Sequence, residues 1–398
     1  PLWASAVLLT ERMVQPMDKP TVQDIFHRFY PAYLDQYSPS PVQAKVAHNI
    51  MNCKTGAYGA NVCVCEDCGF VQIHYNSCRN RCCPMCQAVP KEMWMDARRE
   101  DVLDAPYFHL VFTVPDILNP VIYSNQRLLY DALYHAASST ISELTADPKH
   151  LGAKVGYICI LHTWGSEMNF HPHIHTILLG GGLASNNQWK DNGENFFLPI
   201  RVISKMFRGK YLEELKRLWE EDKLVFHGTA EKFRNHYTFK ELLDSCYGMD
   251  WIPHCKKTFN GAQTVIKYLG KYTHRIAVSN HRIVRMDDDT VTFLVKDYRN
   301  EGQWKELTIS GVEFVRRFLM HVPPRRFVRI RHYGLLCSRT KSQKLTLCRN
   351  LLGCKKYLSK LRDMEMPEIL EHLYGIKVCV CKACGGHLGK PQMKMPLR

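Results

Sequence analysis

Three histidines stand at alternate positions in His171-Pro172-His173-Ile174-His175. In an extended strand alternate side chains share a face, so this segment presents three imidazoles together while Ile174 points to the other side. Such a face either binds a metal or is a solvated polar edge. Tyr268 and Tyr272 lie four residues apart, with Lys267, Lys271 and Arg275 beside them. On a helix both phenols fall on one side, close to the cations. Such a pair ordinarily packs; its chemical use is as an activated nucleophile.

The cysteines supply a second kind of chemistry. Cys65-x2-Cys68 is followed, after fourteen residues, by Cys83-x2-Cys86. Two knuckles at that spacing predict one tetrahedral zinc ribbon of four thiolates, a closed site whose role is structural. Cys53, Cys63, Cys78 and Cys82 surround this set, and a second zinc site is expected to draw on Cys53, Cys78 and Cys82. Near the far end Cys379, Cys381, Cys384 and His387 form half a ribbon that an upstream cysteine such as Cys354 would complete.

Elements to position these groups are legible on both sides. Ile25, Phe26, Phe29 and Tyr30, then Val42, Val46 and Ile50, recur at three- and four-residue intervals and predict two amphipathic helices around Ser38-Pro39-Ser40-Pro41. Residues 107–114, 155–164 and 171–179 read as strands, with a helix over roughly 121–144 between the first two. Gly180-Gly181-Gly182 reads as a turn or strand end. Helices are expected over 204–222, 229–244, 263–274 and 313–320, and short strands over 282–286 and 291–296. The expected domains are a disordered or extraneous segment (1–20), a helical zinc-binding DNA-binding domain (21–100), a catalytic domain (101–285), its strand-helix extension (286–335) and a basic C-terminal region (336–398).

Composition narrows the partners. The chain has 398 residues, 45% hydrophobic and 23% charged, which is ordinary for a folded protein and excludes general disorder. Fifty-three Lys and Arg against 38 Asp and Glu leave a net charge of +15, which fits a polyanion such as nucleic acid. A dozen Lys or Arg and no acidic residue lie between Arg325 and Arg362, an electrostatic footprint for phosphates. Phe327 and Tyr333 within it suit stacking on unpaired bases. No run reaches the ~18 to 20 apolar residues of a membrane span, and Leu2 to Leu9 lacks the basic lead of a signal peptide. The expectation is a cytoplasmic protein with no membrane partner. No phosphate-binding G-x4-G-K-[ST] loop is present, so duplex unwinding would fall to host helicase or replication proteins.

Taken in order, Ser77-Cys78-Arg79-Asn80-Arg81, His162-Thr163-Trp164-Gly165, His171 to His175 with the glycines after it, Tyr268 to Asn280, Trp304-Lys305 and Arg331-His332-Tyr333-Gly334 resemble the two-tyrosine HUH transposases of rolling-circle insertion sequences, the IS91 group. The resemblance covers most of residues 21–353. It departs at Cys82, where the family shows histidine, and fades at the extreme C-terminus. It implies an α+β fold: an HUH domain with a central antiparallel, ferredoxin- or RRM-like sheet flanked by helices, an N-terminal zinc-ribbon module and a small basic C-terminal region. It implies a bacterial DNA transposase, nucleoid-associated when bound, that nicks and rejoins single-stranded DNA of the element ends and target through a 5′-phosphotyrosine.

Residue by residue, His173 and His175 match the metal pair and would hold Mg²⁺ or Mn²⁺. His162 is the first choice for a third ligand, because the strand before it can pair with the histidine strand; Gln263, Glu167 and His171 are rivals. Tyr268 and Tyr272 are the expected nucleophiles, and Lys267, Lys271, Arg275, Arg325, Arg326, Arg329 and Arg331 the expected DNA contacts. Other readings are a plasmid replication initiator or relaxase with the same chemistry, and a non-catalytic zinc-dependent DNA-binding regulator.

Overall fold

Two capped helices lead the chain. Val22–Gln36 begins on a capping box between Thr21 and Asp24, and Pro41–Met51 on one between Ser40 and Gln43 with Pro41 in the first turn. Each box satisfies N–H groups that a helix start leaves without partners. The computed structural model describes residues 19–191, 198–251, 253–257, 270, 276–297, 301–390 and 392–394. In chain order the strands are β1 Ala60–Val64, β2 Val71–Tyr75, β3 Tyr107–Thr113, β4 Lys154–Trp164, β5 Phe170–Leu183, β6 Trp189–Asp191, β7 His254–Lys257, β8 Ile283–Met286, β9 Thr290–Asp297, β10 Gln303–Ser310, β11 Ile330–Gly334 and β12 Gln392–Lys394.

The fold is α+β. Its central sheet runs β11-β4-β5-β3-β7, with β6 against β5, and every pairing is antiparallel. Strand parity divides the side chains. Phe108, Leu110 and Phe112 of β3, Tyr157, Cys159 and Leu161 of β4, and Ile174 and Leu178 of β5 bury against the helices Gln126–Ala146, Ile200–Glu220 and His236–Gly248. The other face carries Ile158, Ile160, Ile177 and Leu179, packed with Leu345 and Cys348 of the helix Lys341–Leu352 and with Trp94 and Met95.

Among the described residues the expected strands and helices are present with shifted ends, the helix expected over 263–274 lies outside them apart from Gly270, and one reading needs correcting. Gly180, Gly181 and Gly182 do not end β5, which continues to Leu183. The glycines are there because β5 is crowded on both sides: a Cβ on Gly180 would lie 2.9 Å from the Phe108 ring, and one on Gly181 would meet Trp189 of β6.

Two segments pack away from their neighbours in sequence. Strands β8, β9 and β10 form a separate antiparallel sheet, and with the helix Gly311–Met320 they share a core with the two N-terminal helices: Phe26, Phe29 and Ile50 meet Phe293, Phe314 and Phe318. The expected extension of the catalytic domain thus has its apolar contacts with the N-terminal module. At the other end β12 pairs with β1, closing a small sheet β12-β1-β2 from opposite ends of the chain. No helix among the described residues is long and apolar enough to cross a membrane.

Candidate metal centre

The face parity that buries Ile158, Ile160 and Ile177 places His162, His173 and His175 on the same side, toward one end of β4 and β5. His162 and His173 are direct cross-strand partners. All three are more than nine-tenths buried, and their ligand nitrogens lie within 4.8 Å of one another. Next to this pair the register slips: His162 faces His173 while Trp164 faces Phe170, so His171 and Pro172 stand opposite Thr163 alone. A bulge is where a strand tolerates proline, which has no N–H to give a ladder. It also separates His171 from the cluster. His171 is partly exposed and its Nδ1 lies 3.2 Å from Asp116 Oδ1.

Hydrogen bonds orient the rings. His173 Nδ1 is 2.7 Å from the His171 carbonyl, which can only accept, so Nδ1 carries the proton and Nε2 presents a lone pair. His173 Nε2 and His175 Nε2 are 3.0 Å apart. His175 Nδ1 in turn lies 2.9 Å from Nε2 of His109, a β3 residue of the same face. His162 stacks on Trp164 at 4.5 Å between centroids, and the Arg329 guanidinium sits over the Trp164 ring. Burial pushes His173 down to about 3 and, with its histidine neighbours, holds His175 well below the ordinary imidazole range. Neutral imidazole is the form that ligates a metal.

The turn between β4 and β5 is pinned from outside. His321 Nε2 donates to the Met168 carbonyl at 2.9 Å, and its Nδ1 lies 3.2 Å from Thr163 Oγ1. Arg317 donates to the Glu167 carbonyl and Arg282 to that of Ser166. Glu167 itself stands outside the histidine cluster.

The cysteines do not group as their spacing predicts. Cys65, Cys68, Cys83 and Cys86 belong to two different clusters: Cys53, Cys78, Cys83 and Cys86 form one, and Cys65, Cys68, Cys381 and Cys384 the other. The reason is topological. Cys65 and Cys68 follow β1 at the edge that receives β12, whereas Cys83 is buried with Cys53 in the core of the N-terminal helices. Cys82 joins neither cluster; it is buried beside Arg329 and Arg81, and burial raises its thiol. His387 Nδ1 lies 3.4 Å from Glu66, and Cys354 packs under the central sheet, so neither completes the C-terminal half-site.

The expected DNA contacts separate as well. Arg325 and Arg326 are exposed. Arg331 is bound to Asp131 and stacked 4.0 Å over the Tyr134 ring on the helical face of the sheet. Tyr268, Tyr272, Gln263, Lys267, Lys271 and Arg275 lie outside the described residues. Gly270, described from that segment, is helical, and it lines a cleft with Lys91, Arg81 and His281.

Comparison with known proteins settles the class. Residues 156–344 match the family model described as "Putative transposase", and residues 25–114 the "Transposase zinc-binding domain" of IS91 elements. A protein of Sinorhizobium fredii, also named "Putative transposase", is 40% identical over 369 residues, 92% of this chain and 93% of its own length. The transposase of insertion sequence IS801 from Pseudomonas savastanoi pv. phaseolicola is 30% identical over 76% of this chain and 72% of its own. The chain belongs to the IS91 family of transposases. Among solved structures, the conjugative relaxase TrwC in complex with OriT DNA aligns at 15% identity over 44% of this chain and 68% of that one, with a TM-score of 0.23, too low to bear on the fold.

The histidine cluster and the tyrosine segment of the transposase both fall in the first matched region, and Cys53 to Cys86 in the second. Cys381 and Cys384 lie beyond either. Two features of the site escaped sequence reasoning. His109 stands alone in Phe108-His109-Leu110, and its only signal was its parity on β3. The pairing of Cys65 and Cys68 with cysteines 313 residues away or more had no local signal at all.

Proposed function

We propose that this transposase nicks and rejoins single-stranded DNA by attack of Tyr268 or Tyr272 on a scissile phosphodiester, leaving a 5′-phosphotyrosine and a free 3′-hydroxyl. The observation that carries the proposal is the convergence of His162, His173 and His175 on one buried point of the sheet. Three neutral imidazoles fit a divalent cation, which when bound would supply positive charge to the phosphate under attack. Mg²⁺ prefers oxygen ligands and retained water, so of Mg²⁺ and Mn²⁺ the second suits this donor set better. Burial keeps competing water from the imidazoles, and Arg329 adds fixed positive charge beside Trp164.

Each tyrosine must lose its proton to attack, and Lys267 and Lys271 favour the phenolate. The phosphotyrosine keeps the energy of the broken diester, so rejoining to a 3′-hydroxyl needs no other source. Two tyrosines allow one to hold a cleaved end while the other cuts again, as rolling-circle transfer requires. Exposed Arg325 and Arg326 would contact phosphates. Cys53, Cys78, Cys83 and Cys86 would hold the structural zinc of the zinc-binding domain; the Cys78 and Cys86 sulfurs are 3.8 Å apart, the edge of a tetrathiolate tetrahedron.

The test is a labelled single-stranded oligonucleotide of the element end, incubated with Mn²⁺ or Mg²⁺. A protein-linked 5′ end is expected, more with Mn²⁺, and is lost in the Tyr268→Phe, Tyr272→Phe double variant. Survival of the adduct in that variant would sink the mechanism.

A further inference from the structure

Where the segment after β1 meets the C-terminal segment, two knuckles with the same sequence form face each other. Cys65-Glu66-Asp67-Cys68-Gly69 and Cys381-Lys382-Ala383-Cys384-Gly385 both read Cys-x2-Cys-Gly. Both glycines adopt left-handed backbone, with φ of 70° and 77°, and each donates its N–H to the carbonyl of the first cysteine of its knuckle at 3.0 Å. That conformation suits glycine alone at little cost and turns the second cysteine toward the first.

The sulfurs of the two knuckles interleave. Cys65 and Cys384 are 3.5 Å apart, and Cys68 and Cys381 are 3.7 Å apart. Those separations far exceed the ~2.05 Å of a disulfide. They approach the roughly 3.8 Å edge of a tetrahedron built on Zn–S bonds of about 2.3 Å. The N–H groups of Ala383 and Gly386 point at the sulfurs of Cys381 and Cys384, each at 3.4 Å, as donors that favour a thiolate. Around them the backbone closes on itself: Glu66 N–H donates to the His387 carbonyl, Gly389 N–H to that of Val64, and Cys381 N–H to that of Gly386.

Apolar packing does not account for this closure. The local core is Cys63, Cys65, Cys381 and Leu388, with Phe70 against it. So small a core is set against the entropy of bringing together knuckles 313 residues apart in sequence. A closed thiolate site supplies what the core lacks, because metal binding free energy becomes folding free energy.

We propose that Cys65, Cys68, Cys381 and Cys384 bind a zinc ion of their own, separate from that of Cys53, Cys78, Cys83 and Cys86, and that this ion fastens the C-terminal segment 379–394 onto the N-terminal module. The proposal is independent of the strand-transfer chemistry, since it is read by metal content without DNA.

The test uses the full-length protein purified with zinc. Metal analysis is expected to give two zinc ions per chain. The Cys381→Ser, Cys384→Ser variant and the Cys65→Ser, Cys68→Ser variant are each expected to hold one. Cys379→Ser, which changes a cysteine outside the cluster, is expected to keep two. Limited proteolysis should release the C-terminal segment at least ten-fold faster from both double variants than from wild type or Cys379→Ser. A wild-type chain with a single zinc, iron in its place, or a Cys381→Ser, Cys384→Ser chain that still holds two zinc ions and an equally protected tail overturns the proposal.

Discussion

The histidine cluster and the cysteine clusters are assembled by opposite means. His162, His173 and His175 come from two adjacent strands joined by a tight turn, and their convergence needs only strand parity and one antiparallel pairing. Cys65 with Cys68, Cys83 with Cys86 and Cys381 with Cys384 are also short local pairs, but each is half of a site, and local spacing does not say which cysteines complete it. Two C-x2-C pairs separated by fourteen residues look like one ribbon, yet each is completed by cysteines from elsewhere. The nearest compatible partner in sequence is therefore a poor guide for a closed thiolate site. It is a good guide for ligands on one hairpin.

The comparison is sharpest if the two kinds of site are broken separately. Cys83 is fully buried in the core that joins the N-terminal helices to β9 and to the helix Gly311–Met320. Structural zinc contributes about 10 to 16 kcal/mol in small zinc domains, comparable with the whole ~5 to 15 kcal/mol net stability of a domain. Cys83→Ser is thus expected to abolish cooperative folding of the N-terminal module, seen as lost protection of residues 22–53 from protease together with loss of zinc. A variant that lost the zinc but unfolded like wild type would remove the structural role assigned to this site.

What was legible follows the same division. The helices around Pro39 and Pro41, strands β3, β4 and β5, and the three Cys-x2-Cys pairs were all readable, because each rests on periodicity or turn chemistry within a dozen residues. The extent of β5 through Gly180 to Gly182 was not, since those glycines answer to Trp189 and Phe108 across the sheet rather than to a turn. The same holds for the packing of β8, β9 and β10 on the N-terminal helices and for the β12–β1 pairing, which are contacts between distant segments. His109 was missed because an isolated histidine in an apolar strand looks like any core residue until its neighbour across the ladder is known.

His109 probes how far the histidine site depends on its surroundings. Were an ion held there, His175 would carry its proton on Nδ1 and donate it to His109 Nε2, 2.9 Å away, leaving its own Nε2 as the ligand. Outer partners of this kind are typically worth about 10 to 100-fold in metal affinity. His109→Ala is expected to weaken Mn²⁺ binding, measured by calorimetry, by that factor, while leaving the thermal unfolding of the N-terminal module unchanged. A His109→Gln variant, which restores an acceptor, should recover part of the loss. Equal affinity in all three proteins would reduce His109 to packing.

The smallest expected effect separates a histidine that binds from one that only supports. His321 is buried, with Nε2 donating to the Met168 carbonyl, and burial holds it at about 4. Its unfolded value is near ~6.5, so the unfolded chain binds the proton more readily. A depressed value means that the stabilising contribution is complete above about pH 6.5 and is lost as the pH falls toward the folded value of about 4. Within that window the loss is on the order of 1 kcal/mol per pH unit. His321→Gln keeps a donor for Met168 but cannot titrate, so its stability should fall less steeply between pH 6.5 and 4 than that of wild type, measured by denaturant unfolding at fixed zinc. The histidines of the cluster differ once a cation is bound, because protonation must then compete with the ion; for them, added Mn²⁺ should move acid sensitivity to lower pH, and for His321 it should not. Identical slopes for His321→Gln and wild type would mean that the turn between β4 and β5 is held by Arg282 and Arg317 without help from the imidazole.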